Sequence, residues 1–263
     1  MSHRNIIYIQ DENGVATIVL NRPSVLNAVN FQTAEELLNA VRKCGKNSDV
    51  KVLIIKGATG AFSSGADLKA MKPELQNIEA FFKRFCHVLH EIIMEIVYLE
   101  KPVVASIDGV AAGFSFGLIL ACDVRLASER SEFSAAQVNL GLTPNGGITY
   151  FLPRLVGLGK ATELIFTGRM INAEEAKKTG VVNQVFSAGE LEKATEEVAA
   201  KLASGASLAI NAAKKLLKQG LYENLRVQLK REAEAIAKAS ATVDFEEGLN
   251  AFLEKRKPKF KGK

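Results

Sequence analysis

Three segments rich in small residues hold the groups best suited to chemistry in this chain. They are Asn21–Asn27 (NRPSVLN), Gly57–Leu68 (GATGAFSSGADL) and Gly109–Gly117 (GVAAGFSFG). Each follows a β-rich run, and parallel α/β proteins place their sites where such strands end. The third segment opens directly into an apolar helical run, whose N-terminus presents free backbone N–H groups. Two such N–H sites facing one carbonyl oxygen would form an oxyanion hole.

Several common ligand-binding patterns are missing from the sequence. The first strand is followed by NRPS rather than GxGxxG, no glycine loop ends in Gly-Lys-Ser/Thr, and there is no HExxH. A structural alternative for Gly109–Gly117 is a close-packing helix whose glycines, four residues apart, admit a neighbouring helix. Taken alone, these residues indicate an α/β enzyme-like domain with two amide-rich loops.

The elements that must position these loops alternate between strands and helices. The predicted strands are Val15–Leu20, Val52–Lys56, Val103–Ile107, Val124–Ala127 and Val181–Phe186. Phe31–Cys44 and Ile78–Leu99 carry apolar residues at helical spacing and are predicted as helices. Such alternation predicts parallel strands joined by crossovers and buried on both faces, which is an α/β fold.

The character of the chain changes from Ala194 onward. Residues 194–252 are rich in Ala, Leu, Lys and Glu and predict three or four amphipathic helices without strands. We therefore divide the chain into a core that carries the site, residues 1–200, and a helical region with a basic tail, residues 201–263. Ser204–Ser207 is predicted as a turn between helices.

Composition and charge narrow the possible partners. Hydrophobic residues make up 48% and charged residues 24% of the 263 positions, which excludes disordered and fibrous classes. The net charge of +5 comes from the last nine residues, KRKPKFKGK, which hold six basic side chains. The remainder has 28 basic and 29 acidic side chains, so no basic groove for nucleic acid is predicted.

The spacing of the cysteines and the length of the most apolar run indicate the cellular compartment of the protein. Cys44, Cys86 and Cys122 show no CxxC spacing, so neither a disulfide framework nor a zinc site is expected. The most apolar run, Gly109–Cys122, has 14 residues, which is too short to span a membrane and is predicted as a buried helix. No signal peptide is predicted at the N-terminus. We expect a cytoplasmic protein without a membrane partner.

Motifs along most of the chain resemble the crotonase (enoyl-CoA hydratase/isomerase) family, whose members act in fatty-acid metabolism. The matching segments are NRPSVLNA, SSGADL, KPVVASIDGVAAG, ACDVRLAS, LGLTPNGG and the close DFEEGLNAFLEKRKPKF, in order from about residue 8 to residue 260. The resemblance implies a crotonase-type spiral of ββα turns, with a C-terminal helical region that mediates trimerisation and often a dimer of trimers. It also implies an acyl-CoA thioester as substrate and no metal or redox cofactor.

The resemblance implies functions for specific residues of this sequence. Ala66 and Phe114 match the two backbone donors of the family's oxyanion hole, which would hold the thioester oxygen and stabilise an enolate. Lys257 and Lys259 would meet the nucleotide phosphates of coenzyme A, unless the tail is a solvated, frayed terminus. The remaining positions that match the coenzyme A-binding segments are Arg22, Ser24, Leu26, Ser64, Asp67 and Leu68.

The acid/base positions depart from the family's hydratases. Those enzymes have glutamates where this chain has Gly117 and Gln137, and hydration needs a carboxylate to activate water. The stretch from Leu140 to Gly147 resembles the branch of 3-enoyl-CoA and ring-epoxide isomerases, which has an acid after the proline. This chain has Asn145 there, which is isosteric with aspartate but carries no proton at neutral pH. The resemblance therefore favours an isomerase over a hydratase.

Three explanations of Asn145 remain open: a natural change that slows or alters activity, an engineered replacement of an aspartate, or another base elsewhere. The candidate base is His90, which coincides with the water-activating histidine of aromatic acyl-CoA dehalogenases in the family. Dehalogenation itself would need an aspartate at position 145, and decarboxylating relatives have a tyrosine where this chain has Pro144. Asn145, His90 and Gln137 are thus the predicted catalytic group. Two further readings are a weak hydratase and a non-catalytic acyl-CoA-binding scaffold.

Overall fold

The computed structural model describes residues 5–263, which fold into two sheets surrounded by helices. The strands are β1 (Ile6–Gln10), β2 (Val15–Leu20), β3 (Val52–Gly57), β4 (Ala61–Ser63), β5 (Val103–Ile107), β6 (Val110–Ala112), β7 (Val124–Ser128), β8 (Glu132–Ser134), β9 (Ile171–Asn172) and β10 (Gln184–Phe186). Short 3-10 turns cover Pro23–Val25, Lys72–Asn77 and Ala136–Leu140.

Eleven α-helices are found in that part of the chain. They are α1 (Phe31–Lys46), α2 (Leu68–Met71), α3 (Ile78–Tyr98), α4 (Phe114–Ala121), α5 (Ile148–Val156), α6 (Leu158–Thr167), α7 (Ala173–Thr179), α8 (Leu191–Ala203), α9 (Ser207–Gly220), α10 (Leu225–Ala239) and α11 (Val243–Leu253). The last four confirm the predicted C-terminal helices.

Three successive turns, those of β3/β4, β5/β6 and β7/β8, each contribute one strand to each sheet and are followed by helices. The larger sheet has the order β1-β2-β3-β5-β7-β10, and the smaller sheet has the order β4-β6-β8-β9. The pairs β3/β5 and β5/β7 are parallel in the first sheet, as are β4/β6 and β6/β8 in the second. The molecule is therefore the predicted α/β spiral of ββα turns.

The larger sheet is covered on both faces, as continuous apolar strands require. Leu53 and Ile55 of β3 belong to the main core with α1, α3 and α4. Val52 and Ile54 point to the opposite face, where they form a second cluster with α8 residues that include Leu191 and Ala199. Helix α8 thus seals the back of the sheet.

Several elements differ from the sequence prediction, and strand β1 was not predicted. The run Gly109–Cys122 is not one helix, because Val110–Ala112 pairs with β8 as strand β6 and the helix begins only at Phe114. The last strand begins at Gln184 rather than Val181, since Val181 and Val182 pack into the core ahead of the ladder. The four short strands of the second sheet were not predicted at all.

The C-terminal helices are joined to the spiral by a buried cation. Lys214 of α9 is 8% exposed, and its Nζ lies 2.7 Å from Asp123 Oδ2. The same Nζ donates to the backbone carbonyls of Ile96 and Lys101. Burial lowers the pKa of Lys214, and the Asp123 carboxylate opposes that effect. This ion pair holds α9 against the spiral.

None of the helices in residues 5–263 combines the length and the apolar character needed to cross a membrane.

We expect Lys214→Ala to lower the free energy of unfolding by about 3 kcal/mol, because it removes one partner of a buried ion pair and leaves Asp123 undercompensated. Chemical denaturation would measure this loss. Lys215→Ala is the matched control, because Lys215 is exposed on the same helix. Equal stabilities of the two variants would contradict the role given to Lys214.

Candidate functional site

A cavity of about 600 Å³ lies at the ends of β4 and β6. It is bounded by the segment after β4, the first half of α3, the start of α4 and the loop that follows β8. Phe82, Leu140 and Leu142 give it a mainly apolar wall. Its shape and composition suit a ligand with an apolar body.

Two backbone N–H groups, those of Ala66 and Phe114, belong to residues that line this cavity. Val29 forms a β-bridge with Ala66. The bridge consists of two hydrogen bonds to the neighbours of Ala66: Val29 N donates to Gly65 O, and Asp67 N donates to Val29 O. Phe114 is the first residue of α4, so its N–H has no acceptor within the helix. Within residues 5–263 neither N–H donates to a protein acceptor.

Glycines bring these two N–H groups to the same cavity. Gly65 has φ +93°, and a Cβ placed on it would lie 2.6 Å from the carbonyl oxygen of Ala112. Gly113, just before Phe114, has φ +56°. A residue with a side chain at position 65 would separate the two segments, so this approach requires glycine.

A buried hydroxyl network fixes the segment before Ala66. Ser63 Oγ donates to Asn27 O (2.8 Å) and accepts from Ser115 Oγ (2.7 Å) and Gly65 N (3.2 Å). The Asn27 side chain in turn donates to the carbonyls of Ala58 and Ala61. Sequence reasoning missed Ser63, Ser115 and the side-chain role of Asn27, since their bonds join residues more than thirty positions apart.

Ser115 also sits in the GxSxG pattern that residues 113–117 form. It is fully buried, and its Oγ donates to Ser63. A nucleophilic serine needs an exposed hydroxyl and an adjacent base. The pattern therefore has a structural role here.

The predicted coenzyme A-binding residues divide into two groups. Ser64 and Leu68 line the cavity, and Leu68 is 49% exposed. Arg22, Ser24, Leu26 and Asp67 lie outside its lining. Arg22 Nη1 lies 2.9 Å from Asp67 Oδ2 and donates to the carbonyl of Ala28, while Ser24 and Leu26 are exposed beside it.

Two of the predicted acid/base positions, 137 and 145, lie next to each other, and both carry amide side chains. Gln137 Nε2 donates to Asn145 Oδ1 at 3.3 Å, and both residues line the cavity. Gln137 is 9% exposed, and its Oε1 has no hydrogen-bond partner in the described part of the chain. No carboxylate occupies either position.

The third position, Gly117, has no room for a side chain. A Cβ placed on Gly117 would lie 2.3 Å from the carbonyl oxygen of Gly146. The loop that carries Asn145 thus packs directly on the backbone of α4. A glutamate at position 117 would require this loop to move.

A residue that the sequence analysis left unassigned contacts Asn145. Asn145 Nδ2 donates to Cys86 Sγ at 3.6 Å, and Cys86 lines the cavity from α3. His90, the predicted alternative base, lies one turn further along α3, is exposed, and is not in the cavity lining. Burial, followed by the charge of His87, lowers the pKa of His90. The apolar periodicity of α3 did not distinguish Cys86 from the packed residues around it.

The basic tail lies outside the cavity lining and is ordered along α11. Lys259 N donates to Glu247 Oε1 at 2.7 Å, and Arg256 forms an ion pair with the same carboxylate. Lys261 N and Gly262 N donate to Asp244, which is 3% exposed. These bonds connect the backbone of the tail to α11, while the side chains of Lys257 and Lys259 are exposed to solvent.

No group of three or more His, Cys, Asp or Glu side chains able to hold a metal ion occurs within residues 5–263.

Comparisons with known proteins give one consistent family. Residues 10–263 match the family model described as enoyl-CoA hydratase/isomerase. The chain is 36% identical to a short-chain-enoyl-CoA hydratase of Clostridium acetobutylicum, covering 96% of each chain. It is also 36% identical to a trans-2-decenoyl-[acyl-carrier-protein] isomerase of Streptococcus mutans, covering 100% of each. A crystal structure of an enoyl-CoA hydratase from Bacillus anthracis superimposes with a TM-score of 0.93 at 36% identity, covering 99% of this chain and 100% of that one.

We expect Gly117→Ala to lower the free energy of unfolding by about 1–3 kcal/mol, because the added methyl group overpacks the contact with Gly146. Thermal or chemical denaturation would measure the change. Gly159→Ala is the control, because that helical glycine has no atom within 4 Å of the added Cβ. There the same substitution should stabilise by about 0.5–1 kcal/mol. Equal signs of the two changes would contradict the packing assigned to Gly117.

Proposed function

This chain belongs to the enoyl-CoA hydratase/isomerase family, and we propose that it binds an acyl-CoA thioester and isomerises a double bond near the thioester carbonyl. The observation that carries the proposal is the pair of N–H groups at Ala66 and Phe114, which have no protein acceptor within residues 5–263 and belong to one apolar cavity. The preferred substrates are 3-enoyl-CoA thioesters, or ring-epoxide thioesters that isomerise to oxepins.

The two donors would supply the main stabilisation of the reaction. Removal of a proton from the carbon next to a thioester places negative charge on the thioester oxygen. Loss of one hydrogen-bond donor that is preorganised around that oxygen lowers the rate by about 10²–10³-fold. Because they belong to the backbone, they tolerate the bulky phenylalanine at position 114.

The side chains around the cavity favour isomerisation over hydration. Hydration needs a carboxylate to orient and deprotonate water and an acid to protonate the α-carbon. Gly117 and Gln137 supply neither, and the Gly146 carbonyl occupies the space of a side chain at position 117. Isomerisation needs only one group that moves a proton between two carbons. The Streptococcus mutans relative is named for an isomerase, whereas the Clostridium acetobutylicum relative is named for a hydratase.

Coenzyme A would enter past Ser64 and Leu68, with Leu26 and Ser24 on the adjoining exposed loop. The Arg22–Asp67 ion pair would hold that loop against the segment of Ala66, since both side chains are largely buried. Lys257 and Lys259 would meet the nucleotide phosphates, from the same or a neighbouring subunit. No other cofactor is needed for enolate chemistry on a thioester.

We also propose a homotrimer, or a dimer of trimers, built on the C-terminal helices. These helices expose large apolar side chains over much of their surface. Leu217, Leu225, Ile236 and Phe252 are each more than two-thirds exposed. Monomeric proteins rarely expose contiguous apolar surface of this kind.

We expect Asn145→Asp to raise the rate of conversion of a 3-enoyl-CoA to the conjugated 2-enoyl-CoA by about 10²-fold or more, because a positioned general acid/base contributes about 10²–10⁴. The ultraviolet absorbance of the conjugated thioester measures the reaction. Asn39→Asp adds the same charge at an exposed position outside the cavity and should leave the rate unchanged.

The outcomes separate the remaining candidates. Absence of isomerisation in both the wild-type protein and Asn145→Asp would refute the isomerase. Micromolar binding of acyl-CoA without turnover of any thioester would instead support a binding scaffold. Rapid hydration of a 2-enoyl-CoA by the wild-type protein would support a hydratase.

We expect the double change Lys257→Ala and Lys259→Ala to weaken acyl-CoA binding about fivefold, because two exposed ion pairs contribute roughly 0.5 kcal/mol each. Calorimetric titration with a saturated acyl-CoA would measure the change. The corresponding acyl-pantetheine lacks the nucleotide phosphates and should bind both proteins equally. Equal loss for the two ligands would show that the lysines support the fold rather than the phosphates.

A further inference from the structure

Three polar side chains in the cavity form one hydrogen-bonded chain. Gln137 donates to Asn145 Oδ1, and Asn145 Nδ2 donates to Cys86 Sγ. Their positions come from three different elements: the 3-10 turn after β8, the loop before α5, and helix α3. Cys86 is the only one of the three with an ionisable side chain.

No other titratable side chain in the cavity lining lies next to this chain. Among the described residues that line the cavity, only Glu79, Lys83 and Cys86 are titratable. Lys83 Nζ lies 2.6 Å from Glu79 Oε1, and both side chains are at least three-quarters exposed. They are paired with each other at the rim, whereas Cys86 contacts Asn145.

The free acceptor on Gln137 indicates that this cluster receives a ligand. A buried acceptor without a donor costs about 1–3 kcal/mol, and such atoms are rare in folded proteins. Gln137 Oε1 is in this state within residues 5–263, and the residue lines the same cavity as Cys86. A water molecule or a ligand with a hydrogen-bond donor would satisfy it. We therefore expect the polar cluster to bind a water molecule or a ligand through Gln137 Oε1.

We infer, on the basis of the proposed isomerisation, that Cys86 is the residue that moves the proton. The amide N–H that Asn145 donates to sulfur places Sγ at one end of the polar chain, in the lining of the same cavity as Ala66 and Phe114. In the wild-type protein Cys86 thus takes the place of the carboxylate that the family resemblance implied at position 145. In Asn145→Asp the new carboxylate would move the proton itself, which is the source of the gain in rate expected for that variant.

The proton transfer balances without another reactant. The Cys86 thiolate takes a proton from C2 of a 3-enoyl thioester, and the electron pair of that C–H bond moves into an enolate. The enolate oxygen is held by the N–H groups of Ala66 and Phe114. The Cys86 thiol then returns the proton to C4, while the electron pair forms the C2–C3 double bond. The thiolate is regenerated at the end.

The test compares Cys86→Ser and Cys86→Ala with Arg84→Ala, which changes an exposed residue on the same helix. We expect both cysteine variants to lose about 10²-fold or more in kcat, the usual contribution of a proton-transferring group. Their Kd for a saturated acyl-CoA should change less than twofold. Arg84→Ala should retain the wild-type kcat and Kd.

Thiol labelling provides an independent readout of the same residue. Cys44 and Cys122 are at most 1% exposed, and burial raises their pKa values to about 11 and about 12. Iodoacetamide should therefore modify Cys86 first. One alkylated thiol per chain should abolish turnover, and a saturated acyl-CoA should slow the alkylation.

The results distinguish failure of this assignment from failure of the proposed function. A wild-type protein that isomerises thioesters, together with Cys86→Ala at an equal kcat, overturns the role of Cys86 and leaves the isomerase standing. A wild-type protein that isomerises no thioester overturns the role of Cys86, and the proposed function fails with it when Asn145→Asp is inactive as well. A loss of thioester binding in Cys86→Ala equal to its loss of kcat would reduce Cys86 to a packing residue and would also overturn the assignment.

Discussion

The contact on which the site depends is the packing of the loop at Gly146 directly on the backbone of α4 at Gly117. A Cβ on Gly117 would meet the Gly146 carbonyl at 2.3 Å, and a Cβ on Gly146 would meet the Phe114 ring at 2.9 Å. Two glycines are therefore needed for the loop to lie this close. The contact sets the position of Asn145 at the cavity, packs against the ring of Phe114, whose N–H is one of the two proposed carbonyl donors, and removes the space of a side chain at position 117. One steric constraint thus affects both halves of the proposed chemistry.

The two halves are built from different kinds of group. In the proposed reaction, polarisation of the carbonyl uses backbone N–H groups, whose positions follow from the spiral of ββα turns and from Gly65 and Gly113. Proton transfer would use side chains, which can change without altering the fold. Under this division a chain can keep the frame of its family while amides stand at positions where the resemblance implies acids.

The long β-branched runs predicted four of the six strands of the larger sheet to within one residue, and Val15–Leu20 and Val103–Ile107 were placed at their observed ends. Strand β1 was missed, and β10 was predicted to begin three residues too early. The second sheet was missed because its strands have only two or three residues and consist largely of small or polar ones, such as Ala61–Ser63. Those residues resemble loops until a neighbouring strand pairs with them. The positions of Ala66, Phe114 and Asn145 came from motif resemblance rather than from periodicity. The contact between Asn145 and Cys86 joins residues 59 positions apart, and only the folded chain reveals it.

The carboxylates of α11 hold the backbone of the basic tail against that helix. Asp244 and Glu247 bind its backbone at residues 259, 261 and 262. The conformational entropy of ordering this segment is therefore lost on folding and not when a ligand arrives. If Lys257 and Lys259 bind phosphate as proposed, their ammonium groups would be offered from a backbone whose place is set before the ligand arrives. The tail would then favour thioester carriers whose phosphate stands at a matching distance from the thioester, whatever acyl group they carry.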